Sequence, residues 1–169
     1  ISVIIPTFNG AQGLAKTVRS LRQQKAHLVE IIIIDDGSHD GTYETALELL
    51  RDGQIQCVLK HQLRAGKSAA INHAARFAKG DLLLILDSDT VIEGPLSLAI
   101  LAASFSDPRV AAASGNIKAQ NKDDSLWTSF QALEYLVSIT AGRSFLKHLD
   151  SIACCSGAIS IFRRDVFLW

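Results

Sequence analysis

Apolar residues in this chain come in two rhythms: short unbroken runs, and longer stretches with apolar positions three and four apart. Unbroken runs fit strands buried on both faces, and the longer spacing fits amphipathic helices. Val3-Ile4-Ile5 predicts a strand over 2–5, ended by Pro6, which has no N–H for a ladder. Thr7 to Gly10 reads as a loop. A helix is expected over 11–24, with Leu14, Val18 and Leu21 on one face and Lys16, Arg19 and Arg22 on the other. The isoleucine run within 30–34 predicts a second strand. Asp40 is expected to cap a helix over 41–51 whose buried stripe is Leu47 and Leu50. A third strand over 56–60 and a loop over 61–66 precede an Ala-rich helix over 67–79. Its inward positions are Ala70, Ile71, Ala74 and Phe77, and Gly80 is its C-cap. Residues 82–86, Leu-Leu-Leu-Ile-Leu, predict the fourth strand. Pro95 opens a helix reaching 105. A strand over 110–118 follows, with Gly115 as a bulge or close backbone approach. A longer helix is expected over 123–138, carrying Trp127, Phe130, Leu133, Leu136 and Val137, and a last strand over 158–162. The alternation predicts an α/β fold: a mostly parallel sheet with flanking helices, in a single domain over 1–169.

Composition narrows the class. At 48% hydrophobic and 20% charged residues, the chain has the makings of a packed core. Lys+Arg and Asp+Glu are 17 each, so there is no electrostatic footprint for nucleic acid. No apolar run approaches the roughly 18–20 residues of a membrane span, and the start does not read as a signal peptide. Cys57, Cys154 and Cys155 make neither a disulfide framework nor a zinc spacing; the adjacent pair reads as core filling. The chain opens on Ile1 inside a strand pattern and holds no Met, which predicts a piece of a longer protein, truncated at both ends.

The chemistry gathers at strand ends. Asp35-Asp36 and Asp87/Asp89 each follow a buried apolar run. Parallel strands share a direction, so both clusters are expected on the sheet edge where open α/β folds bind ligands. Carboxylates are rarely buried unpaired, so such a rim suits a cation or hydrogen-bond-donating ligand groups. Oxygen-only donors point to Mg²⁺ or Mn²⁺ rather than zinc. Magnesium takes one or two carboxylates and completes its shell with water and phosphates, so the expected site is a metal–phosphate site. A second reading starts from Arg64-Ala65-Gly66-Lys67-Ser68, which ends like a P-loop between strand and helix. Residues 82–87 would then form the Walker B strand of a nucleoside-triphosphatase. Against it, the position of the first loop glycine is His61, the loop lacks small residues, and Asp35-Asp36 goes unexplained.

Four segments carry a resemblance: Val3-Ile4-Ile5-Pro6-Thr7-Phe8-Asn9, Ile34-Asp35-Asp36-Gly37-Ser38, Gly66-Lys67-Ser68-Ala69-Ala70-Ile71-Asn72 and Asp87-Ser88-Asp89. In order and spacing they resemble the family 2 glycosyltransferases of the GT-A fold. The resemblance implies a three-layer, Rossmann-like sheet. It also implies metal-dependent, inverting transfer from a UDP-sugar to a hydroxyl of a growing glycan or lipid-linked acceptor. Pro6, Thr7 and Asn9 would line the nucleotide pocket, and Asp36 or its neighbour Asp35 would accept from the uracil. Lys67 would lie near the nucleotide or diphosphate. Asp87 would contact the ribose or help hold Mg²⁺ or Mn²⁺, and Asp89 would ligate that metal, which stabilises the diphosphate leaving group.

Cys155-Ser156-Gly157-Ala158, followed by Phe162-Arg163-Arg164, is similar to a segment of the processive synthases of cellulose, hyaluronan, poly-N-acetylglucosamine and chitin oligosaccharides. There it lies near donor sugar and acceptor. That branch implies polysaccharide biosynthesis at the cytoplasmic face of the cell membrane, reached through segments outside this chain. The family's general base, a carboxylate, is expected beyond Trp169. This chain is therefore expected to hold the donor-binding half and to be inactive by itself. A nucleotide-sugar-binding domain without chemistry is the remaining alternative.

Overall fold

A computed structural model of the chain describes residues 1–118, residue 130 and residues 155–168. Its sheet contains β1 (Ser2–Thr7), β2 (Glu30–Asp35), β3 (Cys57–Lys60), β4 (Leu82–Leu86), β5 (Ala112–Ser114) and β6 (Ile159–Arg163). The strand order is β3-β2-β1-β4-β6-β5. The first four strands are mutually parallel, while β6 runs antiparallel to both β4 and β5. The helices are α1 (Ala11–Arg22), α2 (Thr42–Arg51), α3 (Lys67–Ala75), α4 (Ser97–Ala103) and the single turn α5 (Arg164–Phe167).

The pleat sorts the apolar runs onto two faces. Val3, Ile5, Ile31, Ile33, Leu84 and Leu86 pack with Leu14, Val18 and Leu21 of α1, Leu49 of α2 and Leu98 of α4. Ile4, Ile32, Ile34, Leu83 and Ile85 pack on the opposite side against Ala70, Ala74 and Ala75 of α3. The result is three layers. Each large aliphatic side chain buried this way contributes about 1.5–3 kcal/mol, and the central strands present such residues on both faces. This is why their sequences read as unbroken runs.

Several expectations shift. Pro6 does not end β1; it pairs in register with Ile34. The Asp36 N–H bonds the Thr7 carbonyl, so Thr7 faces β2 and Pro6 turns its nitrogen toward β4. The ladder to β4 runs only from Ser2↔Leu83 to Ile4↔Ile85, so the missing donor falls where no partner waits. Helix α2 buries Thr42, Ala46 and Leu49, while Leu47 and Leu50 are half-buried. Thr42 sets that phase, because its Oγ1 accepts the Gly10 N–H at 2.9 Å and bonds Asp40 Oδ1 at 2.5 Å. Gly41, not Asp40, holds the cap position, and the Asp40 carboxylate accepts the Thr42 N–H at 3.1 Å.

Helix α3 stops at Ala75, and Phe77 is half exposed; Ala75 and Ala78 take the inward places, with Ile71 half-buried. Gly80 is not the helix cap but a contact with β1: its N–H bonds Ser2 Oγ, and a Cβ there would lie 2.7 Å from Ser2 N. The buried Glu30 carboxylate accepts from Ser2 Oγ at 2.7 Å and from the Lys79 N–H at 2.6 Å, fixing the turn into β4. Strand β5 has three residues rather than nine, and Gly115 just beyond it lets Ile159 approach: a Cβ would meet its Cγ2 at 2.8 Å. Arg163 holds the antiparallel end. It donates to the carbonyls of Val110, Phe105 and Asp107 and lies over the Phe105 ring. The helix expected over 123–138 lies outside the described residues except Phe130, which is helical and exposed; Cys154 and Trp169 also lie outside them. Among the described residues, no helix is long and apolar enough to cross a membrane.

Candidate functional site

The connection from β1 runs to β2 on one side, and β4 pairs on the other. The chain order therefore reverses between β1 and β4, where open sheets leave a crevice beyond the strand ends. A cavity of ≈ 220 Å³ lies there. Six of the expected residues line it: Pro6, Thr7, Asp36, Lys67, Asp87 and Asp89. Phe8, Arg64 and Ser88 complete it. Asn9 and Asp35 are not among its lining residues. Asn9 sits at φ 52, and its Oδ1 accepts the His39 N–H at 3.0 Å, tying the β1 loop to the β2 loop. Asp35 is fully buried; one oxygen accepts the Ser38 N–H at 3.0 Å and the other has no hydrogen-bond partner among the described residues. The Thr7 hydroxyl is likewise buried without a partner.

Asp36 is fixed from three directions. Oδ1 accepts the Ala65 N–H at 2.9 Å and lies 2.8 Å from His61 Nδ1, while Oδ2 accepts the Gly66 N–H at 2.8 Å. Burial pushes its carboxyl up, but the Ala65 N–H, the His61 ring and the Gly66 N–H together outweigh burial and hold it below the ordinary value. The 61–66 loop can close over Asp36 because Gly37 adopts φ +82 and has no side chain: a Cβ would lie 3.1 Å from Arg64 N. Arg64 stacks on the Phe8 ring at 4.1 Å, over the cavity wall.

Lys67, the first residue of α3, places Nζ 2.5 Å from Asp87 Oδ1 and 2.8 Å from the Gly157 carbonyl. It thus joins the end of β4 to the segment leading into β6. None of Cys155, Ser156 and Gly157 lines the cavity. Cys155 is half-buried, and Ser156 is buried with its N–H on Ser114 Oγ at 2.9 Å. Asp87 and Asp89 also border a larger cleft of ≈ 810 Å³, running past Ile100, Ser114 and Asn116 to Ala158.

Asp89 is exposed and takes no hydrogen bond or ion pair among the described residues. No group of three or more His, Cys, Asp or Glu gathers around one point among them. The protein thus offers a hard cation two neighbouring carboxylates, one unpartnered, with the remaining coordination left to ligand and water. This donor set fits Mg²⁺ or Mn²⁺.

Sequence reasoning missed what holds the acidic turn. Gly10 and Gly13 let α1 press against it: a Cβ at Gly13 would lie 2.8 Å from Ser88 O and 3.2 Å from Asp89 Cα. Thr17 Oγ1 then donates to the Ser88 carbonyl at 2.9 Å. The available signal was two glycines three residues apart at the start of an otherwise good helix. The His61–His73 contact at 2.9 Å had none, since the two lie on a loop and a helix.

Residues 2–168 match the family described as "Glycosyl transferase family 2". The chain belongs to this family. It is 32% identical over 174 residues to the hyaluronan synthase of Streptococcus pyogenes, covering 99% of this chain and 41% of that protein. It therefore spans about two-fifths of the length of that relative. Among solved structures it is similar to the mannosyltransferase PcManGT from Pyrobaculum calidifontis, in complex with GDP-Man and Mn²⁺. The TM-score is 0.71 at 22% identity, over 97% of this chain and 44% of that one. It is also similar to glucosyl-3-phosphoglycerate synthase from Mycobacterium tuberculosis, in complex with Mn²⁺, UDP and glucosyl-3-phosphoglycerate. There the TM-score is 0.61 at 18% identity, over 97% and 56%. At these identities the two structures establish the GT-A fold alone. The P-loop alternative fails on geometry as well as family: the Ala65 and Gly66 N–H groups that would cradle a phosphate are already bonded to Asp36.

Proposed function

We propose that this family 2 chain binds the donor for inverting transfer of a sugar from a UDP-sugar to a hydroxyl of a growing glycan or lipid-linked acceptor. The supporting observation is the cavity at the β1/β4 crevice, which gathers a pinned carboxylate, an ammonium and two further carboxylates into ≈ 220 Å³. Asp36 accepts from the uracil N3–H, and Pro6 and Thr7 form the wall beneath the nucleotide. Asn9 and Asp35 hold that wall from behind. Asp87 meets the ribose, and Lys67 exchanges its bond to Asp87 for the diphosphate. Asp89, with Asp87, would hold Mg²⁺ or Mn²⁺, which would supply positive charge to the leaving diphosphate. The acceptor oxygen bonds to the anomeric carbon as the sugar–phosphate bond breaks, UDP leaves, and the hydroxyl proton goes to a general base that is none of these residues. Cys155, Ser156 and Gly157 flank the donor sugar. As the synthase resemblance implies, the reaction belongs to polysaccharide assembly at the cytoplasmic face of the membrane.

Calorimetry tests this reading. UDP is expected to bind in the presence of Mn²⁺, with little effect from ATP. Asp89→Ala should weaken binding by about tenfold or more, the scale of one lost charge-assisted contact. Equal binding with and without Asp89, or preference for GDP over UDP, would overturn it.

A further inference from the structure

We propose that His61 and His73 form a one-proton relay that positions Asp36 and makes nucleobase binding depend on pH. This rests on the reading of Asp36 as the base acceptor.

The hydrogen bonds fix the proton count. Asp36 is ionised, so its Oδ1 only accepts, and His61 Nδ1, 2.8 Å away, must carry hydrogen. In the neutral pair His61 Nε2 is then bare and accepts from His73 Nδ1–H across 2.9 Å. Both tautomers follow, and His73 Nε2 is left as the open acceptor. One added proton can settle there without breaking any bond in the chain from His73 through His61 to Asp36. A second would put hydrogen on both nitrogens of the 2.9 Å contact and break it.

The two rings lie nearly parallel, with 6° between their planes, and Phe77 meets His73 edge-on at 5.6 Å. That contact accounts for a half-exposed phenylalanine just beyond α3.

Among the described residues, the other charged groups beside the pair are engaged elsewhere or exposed. Asp35, next to Asp36 on β2, points to the Ser38 N–H. Lys60, ending β3, lies over the Tyr43 ring, and Arg64 in the loop lies over Phe8. Lys67 at the start of α3 is paired with Asp87, and Arg76 beyond its end is exposed. Asp36 is therefore the anion to which the relay is coupled. A proton on the pair turns Asp36 from a fully charged acceptor into one shared with a cation, and its bond to a nucleobase N–H weakens. Affinity for the base falls as pH falls.

Two measurements decide this. ¹⁵N NMR of the imidazoles in the ligand-free full chain should show His61 Nδ1 protonated throughout and the two rings gaining a single proton jointly. Independent titration of both rings would overturn the relay, whatever the chain binds. Binding of uridine, which has no phosphate to titrate, is then followed by NMR from mildly acid to mildly alkaline solution. Wild type should bind about fivefold more weakly at the acid end, the difference between a charged and a shared acceptor. His61→Asn keeps an N–H toward Asp36 but takes no proton. Whatever its affinity at the alkaline end, it should lose the pH dependence, with a retained cooperative unfolding transition as the folding control. A wild-type pH profile in this variant would overturn the proposal. No uridine binding at any pH would overturn the nucleobase reading and its pH consequence together, while the imidazole titration still judges the proton count.

Discussion

Asp36 is an anion held largely by backbone. Among the described residues, two of the three bonds to its carboxylate come from the amides of Ala65 and Gly66, so its charge organises a loop from the far end of β3. Burial pushes its carboxyl up, and the Ala65, His61 and Gly66 bonds bring it below the ordinary value. The unfolded chain therefore takes up this proton first as pH falls. The stability Asp36 contributes is complete above about pH 4, its unfolded range, and is lost as pH drops through the lower folded value. Unfolding midpoints measured from about pH 7 down to 3 should fall more steeply for wild type than for Asp36→Asn, which should start lower and change less. The neighbouring Asp35 could not be told from Asp36 in the sequence, since two adjacent carboxylates at a strand end differ only by which face the pleat gives them. The pleat buries Asp35 fully and turns Asp36 to the cavity.

At the scale of elements, legibility followed burial. Strand β4 falls where five apolar residues ended in carboxylates, because a strand buried on both faces leaves no other reading of such a run. The phase of α2 and the end of α3 were not legible, because polar bonds between distant residues set them: Thr42 to Gly10, and Glu30 to Lys79. The acidic cluster could be read from type and spacing, whereas its support by α1 depends on the absence of two side chains. Gly13→Ala tests that support. Alanine gains about 1 kcal/mol in helix propensity, while crowding Ser88 and Asp89 costs about 1–3 kcal/mol. Net destabilisation should stay within about 2 kcal/mol by chemical denaturation, yet Mn²⁺-dependent UDP binding should weaken, because the Asp89 backbone must move. Unchanged binding would mean the turn tolerates the shift.

Over the whole molecule, a parallel four-stranded half carries the crevice and an antiparallel pair closes its side. Arg163 fastens that pair to the chain between α4 and β5 through three carbonyls. Arg163→Ala should destabilise the fold by about 2–3 kcal/mol, the range for losing charged hydrogen bonds in a partly buried setting. Hydrogen exchange should quicken first in β5 and β6 and leave β1 and β2 protected. Uniform loss of protection would show that the two halves unfold as one unit.

The strand order also bears on how the chain is made. Strand β6 follows β5 in sequence, yet it lies between β4 and β5. Until residues 159–163 leave the ribosome, β4 is paired on its β1 side alone and, among the described residues, β5 has no neighbouring strand. Lys67 likewise waits for Gly157, ninety residues later, before its second bond can form. A nascent chain therefore carries an incomplete crevice until residues 157–163 have been made.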